Sequence, residues 1–198
     1  MGQPARQRRP GRGGQGHHAF LVALAAHQDH PGVAAHRQLH VLSASGAAAA
    51  HTGTACIGWC GQHIGEDFSV AGNMLTGPQV IEATAEAYRA AVGLPLAERL
   101  LAAIVAGEAA GGDKRGKQAA ALRIHGDEDR AELDLRVDDH AEPLVELQRL
   151  YRKSLERYLP FTACLAGRHD SVGLTDRAEI EARIARYQAE AAHGNGLT

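Results

Sequence analysis

Large aromatic side chains are scarce, at 4% of the 198 residues. A core must therefore be assembled mainly from Ala, Leu, Val and Ile, and alanine-rich helices are the expected vehicle. Cysteine is limited to three residues, an odd number in a chain of this length, which needs no disulfide staples. That usage points to a reducing compartment and a cytoplasmic protein. No apolar run approaches the length of a spanning helix, and the first residues lack the apolar stretch of a secretory signal, so no membrane partner is expected. A formal charge of −2 supplies no general pull toward nucleic acid.

That small net charge hides an asymmetry. Residues 1–18 hold Arg6, Arg8, Arg9 and Arg12 and no acid, which leaves 17 basic against 23 acidic residues, or −6, in the remainder. This segment is Gly, Pro, Gln and Arg with almost nothing apolar, so it is read as disordered, or as non-native sequence. Pro4, Pro10 and five glycines oppose the amphipathic helix of a transit peptide.

Beyond it, Ala19–His27 is apolar enough for a short helix, stopped at Asp29-His30-Pro31-Gly32. The alternation of Leu39 and Val41, a turn at Ser45-Gly46, and Ala47–His51 predict a hairpin. From Thr52 to Leu75 glycines recur at 53, 58, 61, 65 and 72, too often for a helix, so sheet with tight turns is expected. A helix starts at Thr76-Gly77-Pro78, presents Val80, Ile81, Thr84, Tyr88 and Ala91 on one face, and stops at Gly93. A second follows Pro95, with Leu96, Leu100, Leu101, Ile104 and Val105 inward, and ends at Gly111-Gly112. Gln118–Ile124 and Glu132–Val137 flank a polar turn and predict another hairpin. Leu144, Leu147, Leu150, Tyr151, Leu155 and Tyr158 have helical spacing up to Pro160. A last helix opens at Asp176, with Glu179 three residues on as a capping box, and buries Ile180, Ile184 and Tyr187. This order lacks strict strand–helix alternation and favours an α+β fold with an antiparallel sheet layered against helices.

Three clusters carry candidate chemistry. Cys56, Cys60 and His63, at C-x3-C-x2-H with His51 nearby, are weighed as zinc ligands; small buried fillers explain the two cysteines more simply, and no metal or other cofactor is assigned. Gly107–Lys114 echoes a phosphate loop, but the lysine is one residue late, Arg115 replaces the Ser/Thr, and a helix precedes it. It reads as a helix stop and charged turn, with Lys114 and Arg115 as candidate anion contacts oriented by Asp113. Asp138 and His140, with Asp139 between them, could serve acid–base chemistry or simply form a turn and helix cap before Pro143. Asn73 could donate to an oxyanion or satisfy a neighbouring backbone group.

Five ordered blocks carry a family likeness. They are His51-Thr52-Gly53 through Trp59, Gly65 through Leu75, Leu94 through Leu101, Ala110 through Gln118, and Leu135 through His140. Together they resemble the domain of unknown function 1028 family over about His51 to Tyr151, with a weaker fit from Arg37. The resemblance implies an N-terminal-nucleophile (Ntn) hydrolase-like αββα sandwich of two antiparallel sheets. It also implies amide-bond hydrolysis by a Thr, Ser or Cys at the chain terminus, whose free amine activates it. Gly2 has no side chain to attack with, so whether this chain is an enzyme stays open. The expectation is an Ntn-hydrolase-like domain over 19–151 that lacks its N-terminal strands, followed by a helical extension over 152–198. The alternative is a non-catalytic small-molecule-binding or self-association module, with unpaired sheet edges favouring a homo-oligomer.

Overall fold

A computed structural model describes residues 31–43 and 46–192; the expected helix at Ala19–His27 and the disordered reading of residues 1–18 lie outside them. The elements in order are α1 (Pro31–Ala34), β1 (Gln38–Leu42), β2 (Ala48–Thr52), β3 (Trp59–Ile64), β4 (Ser69–Leu75), α2 (Pro78–Ala90) and α3 (Leu96–Ala109). They continue with β5 (Ala120–His125), β6 (Ala131–Val137), α4 (Pro143–Glu156), α5 (Tyr158–Thr162) and α6 (Arg177–Ala192). The six strands form three two-stranded antiparallel sheets, β1–β2, β3–β4 and β5–β6. This is an α+β chain with antiparallel pairing, in the element order that the turn and period signals predicted.

The chain divides into two compact units. One holds the described residues up to Ala85 together with Gly107–Arg115; the other holds Glu86–Ala106 and the described residues from Gly116 onward. In the first unit the hairpins β1–β2 and β3–β4 are joined by side-chain amides. The Gln38 Nε2 amide donates to the Gly61 carbonyl at 2.9 Å, to the Gly72 carbonyl at 3.1 Å and to Thr52 Oγ1 at 2.9 Å. Gln62 Nε2 in turn donates to the Ala50 carbonyl at 3.1 Å. Gly61 and Gly72 face each other in register, with side chains close over both. A Cβ on Gly61 would sit 2.5 Å from the Trp59 ring, and one on Gly72 would sit 2.7 Å from Leu75 Cδ1. Phe68, Val80, Ile81 and Ala85 are buried in this unit.

In the second unit, alternation in β5 and β6 turns Leu122, Leu133 and Val137 inward. There they meet Ala97 and Leu101 of α3 and Leu147 and Tyr151 of α4. Leu133 and Leu147 are the most completely buried of these, at 2% and 1% exposure. The outer face of the hairpin is charged, with Arg123 paired to Asp134.

The structure corrects three local expectations. Leu96 and Ile104 are each 48% exposed; α3 packs through Leu101, as expected, with Leu100 against the same core, and through Ala97 and Ala103. Pro160 does not stop a helix. The helix α4 ends at Glu156, Arg157 breaks the run, and Pro160 sits in the first turns of α5, where its missing N–H costs nothing. At α6, Asp176 Oδ1 accepts from the backbone N–H groups of Ala178 and Glu179 at 2.8 and 3.3 Å, which is the expected cap. Glu179, however, turns outward to Arg183 and Arg186 instead of completing a capping box.

Candidate functional site

The end of β4, in the first unit, is strained and tightly tied. Between the pairs Gly61–Gly72 and Trp59–Leu75 the register slips, so Asn73 and Met74 form a bulge. Met74 is driven to φ +55, a left-handed conformation that an unbranched, non-glycine residue adopts only when neighbours hold it there. Two hydrogen bonds do so. The Met74 N–H donates to the Ile57 carbonyl at 3.2 Å, and the Met74 carbonyl accepts from the Lys114 N–H at 2.9 Å. The Thr76 N–H donates to the Gly112 carbonyl at 3.1 Å, and Leu75 bridges Asp113 in antiparallel fashion. Residues 112–114 thus continue the sheet along the end of β4. Left-handed Gly111 and Gly112, at φ +126 and +52, make the sharp exit from α3 that brings them there.

This pairing carries Lys114 to Gly58, which is itself left-handed at φ +73. A Cβ on Gly58 would stand 2.8 Å from Lys114 Nζ and 3.3 Å from the Met74 Cα. The ammonium therefore occupies space that any other residue at 58 would claim. Asp113 does not pair with it. Its carboxylate accepts from the Arg115 backbone N–H at 2.8 Å, from Arg115 Nε at 2.9 Å and from Arg115 Nη2 at 2.5 Å. The Arg115 guanidinium, and then the Arg115 backbone N–H, hold the Asp113 carboxyl at about 2, well below the usual carboxylate range. Arg115 is thereby committed to Asp113, while Lys114 Nζ lies against Gly58. Asn73, on the bulge, is exposed, and its Nδ2 makes one long contact of 3.5 Å to Gln38 Oε1.

The other sequence candidates fall elsewhere. Cys56 and Cys60 are partly exposed thiols on either side of Gly58. His63 stacks at a tilt against Phe68, with ring centroids 5.8 Å apart. Among the described residues no group of three or more His, Cys, Asp or Glu side chains gathers to hold a metal. Asp138 and His140 lie in the second unit and shape the approach to α4. The His140 N–H donates to the Gln118 carbonyl at 2.9 Å, and His140 Nδ1 accepts from the Glu142 N–H at 2.9 Å. Asp139 accepts from Gln118 Nε2 at 3.0 Å, and Asp138 sits 3.4 Å from Arg136. The second unit also has a cavity of about 320 Å³ lined by Glu128, Arg130, Cys164, His169, Asp170 and Arg183. Its charges are engaged locally: Arg130 donates to the Ala166 and Thr162 carbonyls, Asp170 accepts from the Val172 and Gly173 N–H groups, and Arg183 pairs with Glu179.

Reasoning from sequence placed Asn73, Asp113, Lys114 and Arg115 on the candidate roster, but it missed Gly58 and Met74. Gly58 carried a signal, a glycine between two cysteines in a segment too glycine-rich for helix. Met74 carried none, because its backbone conformation is imposed by Ile57 and Lys114.

No curated protein matches the chain. In structure the chain is similar to a protein from Silicibacter pomeroyi, whose crystal structure is described as belonging to the DUF1028 family model. The two are 31% identical, with a TM-score of 0.68 over 80% of this chain and 68% of the other. The model for the family of unknown function DUF1028 matches residues 12–147, which takes in both sides of the Gly58–Lys114 corner, and this chain belongs to that family.

Proposed function

We propose that this chain binds a small carboxylate-bearing molecule at the Gly58–Lys114 corner of an Ntn-hydrolase-like fold. One observation carries the reading: a lysine ammonium seated against a side-chain-free glycine, with the adjacent Asp113 already neutralised by Arg115. A ligand carboxylate can reach the ammonium over Gly58 with no Cβ in the way. The succession of two hairpins, two helices and a third hairpin supports the fold part of the reading, in line with the family resemblance.

Amide-bond hydrolysis is the second reading. Asn73 favours it, since an exposed amide on a bulge one residue from the Met74–Lys114 hydrogen bond can donate to an oxyanion developing on a bound amide.

N-acetylglycine, which carries both a carboxylate and an amide, tests both. Titration calorimetry at low salt should detect binding that weakens as ionic strength rises. Lys114→Ala should weaken it about tenfold or more, the worth of one charge-assisted hydrogen bond. Unchanged affinity in Lys114→Ala would sink the binding reading. Release of acetate and glycine, followed by mass spectrometry, decides between binding and hydrolysis.

A further inference from the structure

The cavity of the second unit, about 320 Å³, is walled by the loop that joins α5 to α6 and by the β5–β6 turn. The loop is locked by its own backbone. The Leu174 N–H donates to the Cys164 carbonyl at 2.9 Å, and Gly167 and Asp170 pair in both directions, at 2.7 and 3.2 Å. Gly173 is left-handed at φ +68, and a Cβ there would stand 2.5 Å from the Ala166 nitrogen and 2.8 Å from the Cys164 carbonyl oxygen. The β5–β6 turn holds the loop from the other side. Both Glu128 carboxylate oxygens accept from the Arg168 N–H at 3.0 Å, and Arg130 donates to the Ala166 and Thr162 carbonyls at 3.0 and 3.3 Å. The hollow is therefore preformed, and its size is that of a small-molecule site.

Three of the charges that line it are met by backbone groups alone. Glu128 and Arg130 make the contacts just given, and Asp170 Oδ1 accepts from the Val172 and Gly173 N–H groups at 3.1 Å each. Among the described residues none of the three has an ion-pair partner, whereas Arg183, also in the lining, is neutralised by Glu179. Backbone dipoles orient these head groups without cancelling their charge. They also leave capacity: Arg130 has used two of its five N–H donors, and each carboxylate keeps open lone pairs. The hollow thus presents two unmatched negative charges and one unmatched positive charge.

We propose that this cavity binds a free basic α-amino acid, with the carboxylate on Arg130 and the two ammonium groups on Glu128 and Asp170. Each ligand charge then has one counterpart, and the methylene chain lies against Leu165 and Leu174 of the lining. A simple anion would meet two like charges and a simple diamine one. The site lies in a different unit from Lys114 and stands apart from the carboxylate reading at that corner.

Titration calorimetry of the full chain with L-lysine at neutral pH and low salt should show saturable binding that weakens as salt is added. Three analogues each remove one charge: cadaverine lacks the carboxylate, norleucine the side-chain ammonium, and Nα-acetyl-lysine the α-ammonium. Each should bind about tenfold or more weakly. Glu128→Gln and Asp170→Asn keep an oxygen for the backbone N–H groups while losing the charge, so the loop stays closed. Each should weaken L-lysine about tenfold and erase the preference over the analogue that lacks its partner ammonium. Arg130→Gln should do the same against cadaverine, and Lys114→Ala should bind L-lysine like wild type. The proposal is overturned if L-lysine shows no saturable binding at millimolar concentration, or if the wild-type chain binds any of the three analogues as well as L-lysine. Loss of L-lysine binding in Lys114→Ala with retention in both carboxylate variants would also overturn it, by placing the ligand at the other site.

Discussion

Gly58→Ala probes the corner most directly, because its effects on stability and on the candidate site have separate physical origins. The backbone at 58 is left-handed, φ +73, and a Cβ there costs about 1–2 kcal/mol. Alanine recovers about 0.4–1 kcal/mol by restricting the unfolded chain. The new Cβ also meets the Met74 Cα at 3.3 Å, a tight contact against backbone that cannot swing away. The net loss should be about 1 kcal/mol, or a fall in Tm of about 2–4 °C for a chain of this size. Lys114 responds differently. Its Nζ, 2.8 Å from the added carbon, is the far end of a flexible chain and moves out of the corner at little cost in stability. Binding of N-acetylglycine should therefore fall about as far as in Lys114→Ala, well beyond what 1 kcal/mol of destabilisation produces in a folded sample. Differential scanning fluorimetry and calorimetry on the same preparations read the two effects. Gly93→Ala is the control, since its Cβ meets nothing within 4 Å and should leave binding unchanged. Gly58→Ala protein that melts lower yet binds like wild type would refute the placement of the ligand at this corner. An unshifted melting curve would refute the backbone argument.

Other perturbations reach the rest of the chain. Leu147→Ala, at 1% exposure in the second unit's core, should cost about 2–5 kcal/mol in urea unfolding followed by circular dichroism. Asp176→Ala removes the acceptor for two N–H groups at the start of α6 and should cost about 1 kcal/mol, while Asp176→Asn should retain most of it. Burial, and then the Glu98 carboxylate, push the Tyr151 phenol from 10.0 to about 12. The unfolded chain therefore releases this proton before the folded one does, and stability should decline as pH rises from about 10 toward 12, less steeply in Tyr151→Phe.

Period and punctuation made the elements legible in advance. The strict alternation of Leu133, Leu135 and Val137, the Pro78 and Pro95 helix starts, and the Asp176 cap each express a local rule, and each stands where the rule put it. Faces were less legible than elements. Leu96 and Ile104 have the spacing of a buried stripe but are each 48% exposed, whereas Leu101 of the same stripe is buried. The site was legible as residue types rather than as a place. Asn73, Asp113, Lys114 and Arg115 stood out by chemistry. Gly58 and Lys114, about 55 positions apart in sequence, met only through the pairing of residues 112–114 with β4.

By itself the sequence determined the α+β class, the hairpin and helix order and the family, because hydrophobic period, turn residues and ordered motifs are local properties. Tertiary structure alone decided which cation Asp113 holds. Asp113 could have oriented either neighbour, and the backbone turn gives it to Arg115, which leaves Lys114 against Gly58. It also decided that the Gly61–Gly72 pair makes room for Trp59 and Leu75. These outcomes depend on distances across the sheet, and a linear pattern cannot set a distance between segments whose register it does not contain.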